Sequence, residues 1–494
     1  MSLDTINPNV TVDSKSQYEA QLADWIQLEK AAIALIHVAG SLWFDKSVEL
    51  VLFRNQLVDK SSSEILNLHQ YAKDFVKQPI NAIDTLMLAK ELNKLDLAPS
   101  RIDIGRLNAE WLAERKNYKS ATEFVGDKIV KFIGKEKRVL VPKDVVLYGF
   151  GRIGRLLMRE LISQAGKGEQ LRLRAIVTRS NGDDEIIKRA ELLRNDSVHG
   201  PFPGTVIEDL RNKALIVNGH TIHMIASKDM STVDYTSYGI NDALVIDNTG
   251  VVRDREGLGA HLKSKGVAKV LLTAPGKGDI PNVVHGINEK TIDINENILS
   301  AASCTTNAIV PVLSVVENGI GIEKGHIETI HAYTNDQNLL DNYHKKARRG
   351  RSAALNMVIT ETGADKAVAK VLPALAGKLS GNAVRVPTPD VSLAILNLSF
   401  KKETTKEALN ELLRTAALKG PLVEQIQYLS SNEVVSSDLI GNPCASIVDS
   451  AATIVHKDGK SAVLYIWYDN EYGYTRQVLR FAKYVSNVIR LTYY

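Results

Sequence analysis

The sequence predicts an α/β protein: a parallel sheet with crossover helices that starts near residue 143, behind a mostly helical N-terminal extension. Three observations carry this reading. Short apolar runs at Val145–Tyr148, Arg174–Thr178, Ala243–Ile246 and Val270–Thr273 alternate with helical stretches, the pattern of strands joined by crossover helices. Three glycines, Gly149, Gly151 and Gly154, lie between the first of these runs and a helical segment Arg155–Ile162. Before the charged link Gly134 to Arg138, apolar residues recur at helical spacing instead.

The extension, residues 1–135, divides into several helices. Asp13 or Ser14 is placed to cap a segment in which Leu22, Trp25, Ile26, Ala32, Ile33 and Ile36 recur about once per turn. Ser61 to Glu64 leads into a second helix with Ile65, Leu68, Ala72 and Phe75, and Gln78-Pro79 interrupts before a third, Ala82–Leu92. No cluster of chemically competent residues stands out here, so the extension reads as a packing or interaction module with an unknown partner.

With 494 residues there is length for about three domains. Charged residues make up 24%, and 61 basic against 57 acidic residues leave a net charge of only +4. That balance argues against nucleic acid or an anionic membrane as a general partner. Two cysteines, Cys304 and Cys444, do not make a disulfide framework, which points to a reducing, cytoplasmic location. The N-terminus lacks the pattern of a signal peptide, and the apolar stretch Ala31–Ala39, interrupted by His37, is too short to span a bilayer.

The glycine turn has a defined chemistry. Gly149, Gly151 and Gly154 permit the tight turn, the approach of backbone to a pyrophosphate and close helix–strand packing, and the motif, with Arg152 and Ile153 in it, opens the Arg155–Ile162 helix, whose N-terminus supplies amide donors to the anion. This is a Rossmann-type dinucleotide-binding reading. A second signal is Ser303-Cys304-Thr305-Thr306-Asn307 before the helical run Ala308–Val316, where a helix N-terminus favours a thiolate. His331, ending the strand-like run Ile327–Ile330, is a candidate base for that thiol.

Together these residues resemble phosphorylating glyceraldehyde-3-phosphate dehydrogenase. The motifs are Gly149 to Arg155, Ser303 to Asn307, His331 to Thr334, Thr362-Gly363, Arg385 to Pro389 and Trp467 to Tyr474, in order across about 350 residues. The resemblance implies a dinucleotide-binding domain over 143–303, completed by a C-terminal helix 473–494, and an α+β catalytic domain over 304–472. It assigns Cys304 as nucleophile and His331 as base, and it places Ser303, Thr305, Thr334, Thr362, Gly363 and Arg385 around substrate phosphate and inorganic phosphate. Thr249, Gly250, Thr273, Asn470 and Tyr474 join the glycine turn as cofactor-binding residues. The implied substrates are glyceraldehyde 3-phosphate and phosphate, the implied assembly is a homotetramer, and no metal is expected. The alternatives are erythrose-4-phosphate dehydrogenase, or a regulatory or scaffold protein that retains the fold.

Several positions depart from the family pattern. Tyr148 replaces a common asparagine and Ile395 a usual aspartate. Arg179-Ser180 follows the second strand where an acidic residue normally meets the adenosine ribose; arginine pairs instead with a 2′-phosphate. Asn342-Tyr343 replaces the Leu-Pro pair of many NAD-restricted relatives. The cofactor is therefore expected to be NADP or NAD, with dual use. The basic run His344–Arg351 corresponds by resemblance to an interface loop from about Tyr333 to Met357, rather than to a nucleic-acid patch.

Overall fold

The computed structural model describes residues 11–494 apart from 294, without the side chains of 11–16, 74 and 75. The chain forms two compact units, one of Met1–Leu140 with Arg490–Tyr494, the other of Val141–Ile489.

In the first unit, helices Thr11–Lys46, Ser62–Tyr71, Ala82–Lys94, Ile104–Glu114 and Ala121–Lys128 pack round a core that includes Leu35, Leu42, Leu88 and Phe124. The first helix is already formed at Thr11, so neither Asp13 nor Ser14 caps it; their side chains, like that of Phe75, lie outside the described residues. Ser61 does cap its helix, in a reciprocal box with Glu64. The helices are joined by a sheet that the helical spacing did not anticipate. Its order is Asn55–Gln56, Val48–Leu52, Ser100–Asp103, Leu491–Tyr493. The last three strands run parallel.

That fourth strand corrects the expected C-terminal helix. The helix spans Tyr472–Val485 and does not reach 494. Asn487 takes a positive φ of 53°, which ends the helix and frees the tail to pair in the first unit's sheet.

The second unit has two eight-stranded sheets. The first is ordered Ile298–Ser300, Val267–Leu272, Ala243–Asp247, Lys143–Tyr148, Leu171–Thr178, His220–Ala226, Ala214–Val217, Val206–Asp209. It is parallel through the first six strands and antiparallel at the last two joints. Chain order reverses between Lys143–Tyr148 and Ala243–Asp247, so a crevice opens at their carboxyl ends, where such sheets bind ligands. The second sheet is mixed and centres on Ile322–Ala332, flanked by Leu379–Val386 and Ser392–Phe400. Helices Cys304–Gly319 and Lys406–Leu418 bury Ile309, Leu313, Leu409 and Leu413 in the same core as Leu396 and Leu464 of that sheet.

Candidate active site

The glycine turn sits at the crevice. Gly149 has φ +95°, and a Cβ there would stand 3.0 Å from Thr249 Cγ2 across the crevice. A Cβ on Gly154 would meet Gly149 O at 2.6 Å, so helix and strand approach as closely as they do only because Gly154 lacks a side chain. A Cβ on Gly151 meets nothing within 4 Å, and no side chain caps helix Arg152–Ser163. Free amides above open space fit a pyrophosphate. Thr249 and Thr273 line the neighbouring strand ends, with both hydroxyls turned onto Asp247, and Gly250 adopts φ +60°.

Not every expected cofactor residue presents its side chain to that crevice. The Arg152 guanidinium is held by Glu471 and Asp196. Tyr474 is buried, and its hydroxyl donates to Ala302 O at 2.9 Å. The Ser180 hydroxyl donates to Glu185 Oε1 at 2.5 Å. Arg179 is exposed at the end of strand Leu171–Thr178, with no hydrogen bond or ion pair among the described residues.

Strand Ile298–Ser300 leads into the second centre. Ala302 turns the chain with φ +56°, a costly conformation for a residue with a Cβ. Ser303 then caps helix Cys304–Gly319, accepting from Thr306 N at 3.0 Å. Asn307 Nδ2 ties the turn by donating to Ala301 O and Ser303 O. Cys304 is thereby fixed at the first helical position, with its Sγ 3.6 Å from His331 Nε2.

The environment of this pair differs from the sequence expectation of a ready thiolate. Burial pushes the Cys304 thiol up, and Arg385 opposes this only in part. Burial and then Arg385 push His331 down to about 3. Both shifts favour a neutral thiol beside a neutral imidazole. The carbonyl of Ala332 lies 2.7 Å from His331 Nδ1; a proton held there leaves the Nε2 lone pair facing sulfur.

Arg385 lies on the strand beside His331 in direct register. Its Nη1 donates to Ala332 O and to Thr334 Oγ1, each at 3.1 Å, and its buried Nε is left without a protein partner. Thr305 Oγ1 is 3.0 Å from Tyr468 Oη. Thr362 and Gly363 stand at the start of helix Ala364–Val371, where Thr362 Oγ1 accepts from Ala364 N. Asn470 is buried, and its Oδ1 accepts from Ser392 Oγ at 2.7 Å while Ser392 accepts from Ala332 N. Tyr468 and Ser392 escaped the sequence reading. Tyr468 was inside a quoted motif, whereas nothing local marks Ser392.

A dinucleotide cradle and a half-buried cysteine facing a buried histidine within one unit define a nicotinamide-dependent dehydrogenase. Residues 143–255 match the family model described as glyceraldehyde 3-phosphate dehydrogenase, NAD binding domain, and residues 303–470 match its C-terminal domain. The chain belongs to the glyceraldehyde-3-phosphate dehydrogenase family.

It is 40% identical over 336 residues to the glyceraldehyde-3-phosphate dehydrogenase of Zymomonas mobilis, covering 68% of this chain and 96% of that one. It is 41% identical over 343 residues to the chloroplastic glyceraldehyde-3-phosphate dehydrogenase A of Zea mays, covering 69% and 82%. A glyceraldehyde-3-phosphate dehydrogenase-like protein of Pseudomonas aeruginosa is 50% identical over 449 residues, 90% of this chain and 97% of that one. So long a match extends well into the extension. Among the described residues no helix is long and apolar enough to cross a membrane.

Proposed function

We propose that the protein is a phosphorylating glyceraldehyde-3-phosphate dehydrogenase, converting glyceraldehyde 3-phosphate and inorganic phosphate to 1,3-bisphosphoglycerate in glycolysis or gluconeogenesis. The observation that carries this reading is the 3.6 Å approach of Cys304 Sγ to His331 Nε2. In this reading residues 143–303 with the C-terminal helix bind the dinucleotide, and 304–472 carry the catalytic groups.

His331 Nε2 takes the thiol proton as Cys304 Sγ attacks the aldehyde carbon, giving a thiohemiacetal. The developing oxyanion faces the Cys304 amide at the helix N-terminus. The bound nicotinamide supplies the hydride acceptor. His331 returns its proton to that oxyanion, giving the thiohemiacetal hydroxyl, and takes it back as hydride leaves and the thioester forms; phosphate then displaces Cys304 as a thiolate, which recovers the proton from His331. Arg385 and Thr334 hold the substrate phosphate, whereas Ser303, Thr305, Thr362 and Gly363 hold the attacking one; a guanidinium and convergent hydroxyls suit those tasks. Asn470, its Oδ1 fixed by Ser392, would hold the nicotinamide carboxamide through its Nδ2.

Arg179 favours use of NADP beside NAD, because its unpaired guanidinium supplies a charge for the 2′-phosphate. A homotetramer is supported by the loop 333–357, which exposes Leu339, Leu340, Tyr343, Leu355 and Met357 together. Its basic run is partly neutralised, with Arg349 buried on Asp336 and Arg351 paired to Asp341. Both cysteines are free, in keeping with a cytoplasmic location. The extension is assigned a role as an interaction module.

The test is a steady-state assay with glyceraldehyde 3-phosphate, with and without phosphate, using NAD and NADP in turn. Reduction that requires phosphate is expected. Preference for erythrose 4-phosphate, or turnover indifferent to phosphate, overturns the reading, and inactivity with every pair points to the scaffold alternative.

A further inference from the structure

Away from Cys304, three segments of the second unit converge on a buried acidic cluster. His199 follows the short hairpin strand Asn195–Asp196, Asp390 ends the turn after Arg385–Pro389, and Asp469 precedes Asn470. One ligand atom from each, an imidazole nitrogen and two carboxylate oxygens, lies within 4.8 Å of the other two. His199 Nε2 stands 3.4 Å from Asp390 Oδ2 and 3.1 Å from Glu471 Oε2.

Arginine and lysine neutralise only part of this cluster. Arg152 pairs with Glu471 and Asp196, and Arg155 with Asp196, but no lysine or arginine among the described residues pairs with Asp390 or Asp469. Asp469 accepts backbone donors from Gly441, Glu471 and Tyr472. Asp390 is 2% exposed, and neither of its carboxylate oxygens has a hydrogen-bond partner. Leaving a buried carboxylate uncompensated costs several kcal/mol, roughly. Burial and the facing Asp469 accordingly push the Asp390 carboxyl up. Something positive belongs between these oxygens.

We propose that His199, Asp390 and Asp469 form a divalent-cation site, one per chain. A neutral imidazole with two carboxylates offsets a double positive charge, and a nitrogen–oxygen set without sulfur suits Mn²⁺ and its first-row neighbours. Metal–ligand bonds of about 2.1 Å place adjacent ligands about 3 Å apart, so the cluster, spread over up to 4.8 Å, has to draw together round the ion. On entry the cation displaces the proton on His199 Nε2, and any proton shared by the two carboxyls, to solvent. Filled, the site ties the Asp390–Ser392 and Asp469–Glu471 segments together, and these hold Asn470 from both sides. It departs from the sequence expectation of no metal, and it does not depend on the proposed reaction.

The test titrates Mn²⁺ into the full-length chain after chelator dialysis, in phosphate-free buffer, following loss of the free-ion electron paramagnetic resonance signal. The expected result is one site per chain, weakened at least tenfold in Asp390→Asn, with a nitrogen coupling on the bound ion that disappears in His199→Gln. Crystals of the unsubstituted chain soaked in Mn²⁺ are expected to give an anomalous peak within bonding distance of His199 Nε2, which decides the matter even if neither variant folds. No uptake, which would leave protons held among His199 and the carboxyls as the neutralising charge, overturns the proposal. So does uptake equal in Asp390→Asn, or a peak elsewhere.

Discussion

Each unit of this protein buries a histidine whose pKa is held down by burial, His69 in the first and His331 in the second. In both, Nδ1 faces a main-chain carbonyl, Ile65 O at 2.8 Å and Ala332 O at 2.7 Å. They differ at the other nitrogen. His69 Nε2 lies 2.9 Å from Thr85 Oγ1, which also takes a hydrogen bond from Asn108. His331 Nε2 faces the Cys304 thiol. A buried neutral imidazole is a spacer when both nitrogens meet inert partners, and a base when one of them is aimed at a proton that a reaction must move. By that criterion the chemistry of the chain sits in the second unit.

The largest effects test that contrast directly. Cys304→Ser is expected to abolish turnover while the glycine turn still binds dinucleotide, and His331→Gln to slow it on the order of 10²-fold or more. Because the resting pair is neutral, alkylation of Cys304 should rise about tenfold per pH unit between pH 6 and 8, which iodoacetamide kinetics would show. A plateau across that range would mean that a thiolate–imidazolium pair already exists. His69→Gln should instead leave turnover alone and act on stability. The His69 pKa is lowered from 6.5, so the unfolded chain binds the proton first and stability of the first unit falls as pH drops below that value. Urea unfolding at pH 7.5 and 5.5 should show that slope in the parent and lose it in the variant.

Next in size comes the tail. Arg490 sits 4.4 Å over the Trp43 ring and 3.8 Å from Glu49, and the Tyr493 hydroxyl donates to Glu110 at 2.7 Å. Deleting residues 490–494 takes one of two arginines from the buried Glu49, which keeps Arg101 at 3.6 Å, and removes a strand, a loss on the order of 3 kcal/mol by the scale of a weakened buried charge pair. Hydrogen exchange should rise over residues 48–103 and stay unchanged in the second unit. Uniform exchange across both units would deny that the tail belongs to the first. The complementary truncation, lacking residues 1–135, should end at 489 as well, since the strand Leu491–Tyr493 would otherwise have no sheet.

What the sequence showed and hid follows one physical line. The strands Lys143–Tyr148 and Ala243–Asp247, the glycine turn and the body of helix Cys304–Gly319 were legible because their signals are local: apolar runs and a phosphate-binding turn. Helix ends were less so, since the cysteine motif proved to be the helix's first turn. The sheet of the first unit was hidden for a different reason. Val48–Leu52 is buried on both faces and shows no alternation, and its neighbours Ser100–Asp103 and Leu491–Tyr493 come from distant parts of the chain. Ser392 under Asn470, Tyr468 against Thr305, and the His199–Asp390–Asp469 cluster escaped for the same reason. Each is a tertiary meeting that no single segment announces.

A smaller effect concerns the cofactor. Arg179→Asp should lower kcat/KM for NADP selectively, by about 1–3 kcal/mol in transition-state binding, as expected for a charge-assisted contact. The Glu185 carboxylate already holds Ser180, so the arginine carries most of the discrimination. Equal losses with NAD and NADP, or a parent enzyme that ignores NADP, would place Arg179 in solvent with no part in selection.

The smallest expected effect sharpens the difference between the units. Ser61 Oγ accepts from Glu64 N at 3.3 Å, and Glu64 Oε2 accepts in return from Ser61 N at 2.8 Å. Lys60 steadies the same carboxylate at 2.8 Å. This box is exposed and far in sequence from any reacting group, so Ser61→Ala frees the Glu64 amide of helix Ser62–Tyr71 to water, while the Ser61 amide keeps its carboxylate, and should cost about 1 kcal/mol. The helix carries Ile65 and His69 into the first unit's interior, so the loss should appear as a lower urea midpoint for that unit alone, with parental kcat and KM. If the substitution lowers turnover, the first unit is coupled to the catalytic groups more tightly than its inert buried polar groups suggest, and its role would have to be read as regulation of the dehydrogenase rather than packing or interaction.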